Sequence, residues 1–274
     1  MKIVFHLKCA TFSFFWYLNN IAILERYFKY KRISKYQVAL FHLWKPSAKY
    51  FTGYLKSTNQ KVFIKFGTEY FISREIEAIQ FLSTNLHSNM WLPTIVDYET
   101  DGRYPNIIFN YIEGTPLNKI SKSNVTFQLK NNMFNIFNEI SNLFYSLGVI
   151  HRDIRPHNII IGKNNEIYLI DFAFLIDTNK RNSKLKELPS TPENIKKLTL
   201  LGHGYNPDCG IWDDAYSFHK IMNEFKVEEK KIFKFSKLIG NLSMNMLKIN
   251  LLVLHLYFDV FNKRFIFNIF IDKF

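Results

Sequence analysis

Val149-Ile150-His151-Arg152-Asp153-Ile154-Arg155-Pro156-His157-Asn158, followed downstream by Leu169-Ile170-Asp171-Phe172-Ala173, is the stretch on which the reading of this chain turns. Just before it, 127–147 carries apolar residues at helical spacing and Gly148 supplies a good C-terminal stop. Between the two quoted pieces, 159–161 and 167–170 read as short strands joined by the turn Gly162-Lys163-Asn164-Asn165. A polar loop is therefore set between a long helix and a hairpin. Asp153 and Asn158 stand five positions apart in that loop, and the hairpin brings back a second carboxylate, Asp171. The tripeptide His-Arg-Asp alone is a weak signal; three oxygen-bearing side chains in this register make it a specific one.

Working outward, 49–56 and 61–66 read as two strands joined by Ser57-Thr58-Asn59-Gln60, a hairpin. In 69–86 the apolar residues Phe71, Ile72, Ile76, Ile79, Phe81 and Leu82 recur at helical spacing. Two further strands are expected at 94–99 and 106–111, parted by Asp101-Gly102, before Glu113-Gly114-Thr115-Pro116 breaks the pattern. After the decisive stretch, 176–207 is polar, basic and without periodicity, as a mobile surface loop would be. Helical patterning resumes near Trp212 and runs to the end. No internal repeat or low-complexity linker interrupts this order. The expected organisation is α+β: an N-terminal extension, 1–47, a small β-rich lobe, 48–113, and a mostly helical, abbreviated lobe, 114–274.

Composition sets the outer bounds. With 274 residues and 47% hydrophobic content the chain can bury a core in each lobe, so disorder is not the default. The formal charge of +13 attracts anions of any kind, including nucleotides, acidic proteins and anionic lipid, and selects none of them. No zinc, RNP or helix-turn-helix signature accompanies the charge, so nucleic acid is not the expected partner. Cys9 and Cys209 form no metal-ligand or redox spacing, which suits a reducing, cytoplasmic setting. His6 and Lys8 interrupt the apolar run 3–18 and no small-residue cleavage site follows, so a signal peptide is not expected. The apolar run 251–261 lies among Lys248, His255 and Asp259 and reads as a buried helix. The aromatic and basic segment 2–44 fits either packing against the small lobe or a helix on a membrane surface.

The quoted motifs resemble those of the protein kinases, over roughly residues 48 to 225. The resemblance implies a two-lobed protein-kinase-like fold and ATP-dependent phosphoryl transfer to a hydroxyl acceptor. It implies that Asp153 orients or accepts the hydroxyl proton, that Asn158 and Asp171 bind Mg²⁺, and that Arg155, where Lys is usual, contacts the transferred phosphate. Lys65, at the end of the apolar strand Val62-Phe63-Ile64-Lys65, matches the family's phosphate-gripping lysine, with Glu75 as its helix partner and Glu77 as the alternative. Asp214, in Asp213-Asp214-Ala215-Tyr216, resembles the helix anchor that ties back to the catalytic-loop backbone, and Tyr205-Asn206-Pro207-Asp208 resembles a degraded APE motif. Gly53 is what remains of the glycine-rich phosphate cover, and Ala173 stands where the family has the DFG glycine.

The expected activity is that of a Ser/Thr-type protein kinase using ATP and Mg²⁺. Lipopolysaccharide, sugar or other small-molecule kinases of the same fold are the alternative, and a pseudokinase binding module is a third. The hydroxyl acceptor is accordingly a protein, a glycolipid or a sugar, and the basic charge would suit peripheral contact with the anionic inner face of a membrane. Arg152 also suggests control by phosphorylation at Ser183, Ser190, Thr191 or Thr199, because an arginine there can pair with an added phosphate.

Overall fold

In a computed structural model the protein is described at residues 2–38, 49–86, 90–208 and 210–227. The elements in chain order begin with α1 (Lys2–Tyr30), β1 (Ile33–Val38), β2 (Lys49–Leu55), β3 (Lys61–Phe66), α2 (Glu69–Thr84), β4 (Ile95–Glu99), β5 (Asn106–Asn110) and β6 (Gly114–Pro116). They continue with α3 (Phe127–Leu147), β7 (Val149–Ile150), β8 (Ile159–Gly162), β9 (Ile167–Leu169), β10 (Ile176–Asp177), α4 (Pro192–Leu198) and α5 (Asp214–Glu224). The chain divides into two compact units. One holds the described residues up to Thr115 together with Ile160–Leu175; the other holds Pro116–Ile159 and the described residues from Ile176 onward.

The first unit is built on a five-stranded antiparallel sheet of order β1-β2-β3-β5-β4. Alternation along β3 decides its two faces: Val62, Ile64 and Phe66 are buried on one side, and Lys65 points to the other. Leu24 and Phe28 of α1 pack on the apolar face with Ile33, Phe51, Val62, Ile64, Phe66 and Ile108. Phe28 meets Phe51 edge-on at 5.3 Å between ring centres, and Tyr27 Oη donates to Asn106 Oδ1 of β5 at 2.7 Å. Residues 20 to 36, drawn from sequence as part of an extension, are therefore the cover and edge strand of this sheet. The hairpin β8–β9, with β6 paired to β8, also belongs to this unit, so the compact units differ from the boundaries expected at 48–113 and 114–274. No helix among the described residues is long and apolar enough to cross a membrane.

The second unit centres on α3. Thr126 caps its start by accepting from the N–H of Leu129, and Gly148, at φ +60°, ends it in the left-handed conformation that glycine adopts without strain. Phe137 of α3 stacks on Phe218 of α5 at 4.5 Å. β7 pairs with β10, Ile150 opposite Ile176, which sets the start of the polar loop. The 176–207 stretch is more ordered than its lack of periodicity suggested: Leu185, Leu188 and Leu201 are buried, and Thr191 caps the seven-residue α4. Helical structure expected beyond Val227, including 251–261, lies outside the described residues, as does the whole of 39–47.

Candidate active site

The geometry in the first unit starts from β3 and α2. Strand alternation turns Lys65 away from the apolar cover, and α2 brings Glu75 to it, with Lys65 Nζ at 2.6 Å from Glu75 Oε2. Of the two acids considered as its partner, Glu75 is the one that pairs with Lys65. The same ammonium lies 2.9 Å from Asp171 Oδ1. Burial opposes charge on Lys65, but the Asp171 and Glu75 carboxylates outweigh it and lift its pKa well above the usual lysine range. Burial pushes Glu75 upward while Lys65 pulls it down. Tyr50, opposite Lys65 in the β2–β3 register, is pushed up to about 12, chiefly by burial. Lys65, Glu75 and Asp171 are thus one charge cluster.

Asp171 is held at φ +70°, a strained setting for a residue with a Cβ, by the turn Phe172–Phe174 that follows it. The buried Arg74 fixes that turn: its Nε donates to the carbonyl of Ala173 at 3.1 Å and its Nη2 to that of Leu175 at 2.8 Å. Ala173 sits in this 3-10 turn with negative φ, so its methyl costs nothing here. Arg74 was not singled out in the sequence; it lies on the face of α2 opposite Ile72, Ile76 and Ile79, one turn before Ala78, where an arginine gives no sign that it will be buried. Gly53 lies mid-strand opposite Val62, where a Cβ would come within 2.5 Å of the Ile33 side chain.

In the second unit the loop between β7 and β8 folds around Asp153, whose residue is 1% exposed. Asn158 Nδ2 donates to Asp153 Oδ2 at 2.7 Å and to its carbonyl at 2.9 Å, which closes the loop on itself. Arg155 Nη2 reaches the same Oδ2 at 3.0 Å. The other oxygen, Oδ1, accepts the backbone N–H of Gly202 at 2.6 Å. Behind the loop, Asp214 at the start of α5 accepts the N–H of His151 at 2.6 Å and of Arg152 at 3.1 Å. Burial raises Asp214 to about 7 in spite of these two bonds. The structure thus brings Asp153, Arg155, Asn158 and Asp214 together in this unit. Gly202 was not foreseen, because a backbone donor leaves no mark in side-chain identity.

Lys65 faces two carboxylates, Glu75 and Asp171, and the Asp171 side chain is 30% exposed. Asn158 commits its amide nitrogen to Asp153, leaving the ligating atom of its side chain to be the oxygen. Hard oxygen donors of this kind fit Mg²⁺. No cluster of three or more His, Cys, Asp or Glu side chains suited to a metal occurs among the described residues.

A sheet unit carrying a Lys–Glu–Asp cluster and a helical unit carrying an Asp–Asn loop define a class of phosphoryl-transfer folds. The sequence model described as the protein kinase domain matches residues 47–246, and the chain belongs to that family. It is similar to an Aurora kinase of Eremothecium gossypii, 31% identical over 160 residues that make up 58% of this chain and 42% of the relative. It is also similar to the serine/threonine-protein kinase STE20 of Yarrowia lipolytica, 26% identical over 171 residues, 59% of this chain and 15% of the relative. The chain thus spans less than half the length of these curated relatives.

Proposed function

We propose that this chain is an ATP-dependent protein kinase of the Ser/Thr type, moving the γ-phosphoryl group of ATP to a protein hydroxyl. The observation that carries the reading is the Lys65 ammonium held between Glu75 at 2.6 Å and Asp171 at 2.9 Å. A lysine fixed in that way presents a permanent cation to the α- and β-phosphates. Asp153 orients the acceptor hydroxyl and takes its proton as the new O–P bond forms and the bond from the γ-phosphorus to the leaving ADP oxygen breaks. Arg155, paired to Asp153, meets the transferred phosphate. Mg²⁺, for which the Asp171 carboxylate and the Asn158 amide oxygen are the candidate ligands in their respective units, would neutralise charge on the phosphates. The names of the relatives support a protein hydroxyl as acceptor. Incubation with labelled ATP, Mg²⁺ and basic and acidic test proteins examines the reading; labelling that Asp153→Asn leaves unchanged would refute it.

A second reading keeps the chemistry and changes the acceptor to a glycolipid at the inner face of a membrane. It is favoured by one observation, the exposed side chains of Phe14, Phe15 and Leu18 on α1, in a chain of formal charge +13. Flotation with anionic vesicles at low salt separates the two: no association removes the support for a lipid acceptor.

A further inference from the structure

Arg152 is wholly buried, and its guanidinium cannot shed its proton, so the fold must bring an anion to it. One such anion is Glu187, whose Oε2 lies 2.7 Å from Arg152 Nη1; the Asp214 carboxylate acts on the same guanidinium. Trp212 flanks the guanidinium at 5.3 Å, and Asp214 holds the main-chain N–H of the same residue. We propose that Glu187 is a positioning residue: its carboxylate supplies the negative charge that anchors the 176–207 segment to Arg152, so the loop bearing Asp153 is held without any phosphorylation. This inference rests on the kinase reading for its catalytic consequence, not for the anchoring itself.

The local sequence is built for this contact. Leu185 and Leu188 are buried on either side of Glu187, whose side chain stays 49% exposed while its carboxylate reaches Arg152, although Lys184 and Lys186 precede it. The other acids of the segment are engaged elsewhere: Asp177 accepts the N–H groups of Asn179 and Asn182, and Glu193 pairs with Lys197. Two of the hydroxyls that the sequence offered for phosphorylation have structural tasks. Thr191 Oγ1 caps α4 by accepting from Asn194, and Thr199 Oγ1 donates to the carbonyl of Lys196. A phosphate on Thr191 would break the cap that starts α4. From Arg152 the effect passes to its neighbour Asp153, whose Oδ1 is bound by Gly202 at the far end of the same segment.

The test compares phosphatase-treated wild type, shown by mass spectrometry to carry no phosphate, with Glu187→Gln and Glu187→Asp. Hydrogen exchange over 183–191 reads the anchor directly, and kcat and KM for ATP read its catalytic effect. The expected result is that phosphate-free wild type keeps its protection and its kcat, while Glu187→Gln exchanges roughly tenfold faster there. Glu187→Gln should lower kcat with little change in KM for ATP, and Glu187→Asp should recover part of both readouts. Loss of protection on phosphatase treatment alone, or wild-type exchange in Glu187→Gln, overturns the proposal. Intact protection in a wild type that transfers no phosphate upholds the anchor and refutes the kinase reading instead.

Discussion

Asp214 Oδ2 accepts the backbone N–H of His151 at 2.6 Å, across 63 positions of sequence, while its other oxygen takes the N–H of Arg152. One buried carboxylate at the start of α5 thereby fixes the two residues before Asp153, including Arg152 at φ +72°. Replacing Asp214 with Ala leaves two buried N–H groups without that acceptor, at about 1–3 kcal/mol each. Urea denaturation checks this. A loss below about 0.5 kcal/mol would show that the loop does not depend on the carboxylate.

The same residue gives a signed pH dependence. Burial raises Asp214 to about 7 in the fold, against about 3.9 in an unfolded chain. Between those values the folded carboxyl keeps a proton that the unfolded one releases, so its contribution is present in full below about pH 4 and is lost as pH rises through about 7. The Tm of wild type minus that of Asp214→Asn, which mimics the neutral form, should therefore fall from about pH 5 to about pH 8. A rise of this quantity over the interval would show that the anion is the stabilising form.

The α1 cover is an energetic part of the sheet unit. Phe28 is fully buried against Phe51, Tyr36 and Phe66, and truncation to Ala should cost about 3–5 kcal/mol in chemical denaturation. Phe14→Ala, at an exposed position on the same helix, should change stability by less than about 0.5 kcal/mol. Equal effects would mean that α1 is not seated as described.

Two glycines separate folding from chemistry. Gly148 and Gly202 both have positive φ, and each would drive a Cβ into an asparagine side chain, Asn179 and Asn206 respectively. An alanine at either should cost about 1–2 kcal/mol of stability. Only Gly202→Ala disturbs the N–H that holds Asp153, so it alone should lower kcat at a temperature where both variants remain folded. Equal kcat values for the two variants would remove Gly202 from the account.

Much of this site is legible in sequence because its parts follow local rules. β3 alternates, which sends Lys65 to the face away from Val62 and Ile64; α2 has helical spacing; Thr126 and Gly148 bracket α3; and the register of Asp153, Asn158 and Asp171 is specific. What escaped is non-local or short. Ile33–Val38 is an edge strand broken by Lys35 at φ +49°, so its alternation is interrupted. α4 has only seven residues, too few for a periodic signal, although Thr191-Pro192-Glu193 is a good helix start. Glu187 is one acid among lysines, and only the burial of Leu185 and Leu188 beside it shows where it goes.

In the proposed function Asp153 serves a hydroxyl nucleophile and Lys65 the phosphates of ATP. The most direct test is the single-turnover transfer of label from γ-labelled ATP with Mg²⁺, in wild type, Asp153→Asn and Lys65→Met, each checked for folding by its thermal transition. The account predicts transfer by wild type and a fall of roughly 10²-fold or more in each variant, with folding retained. Transfer at the wild-type rate in Asp153→Asn would contradict it.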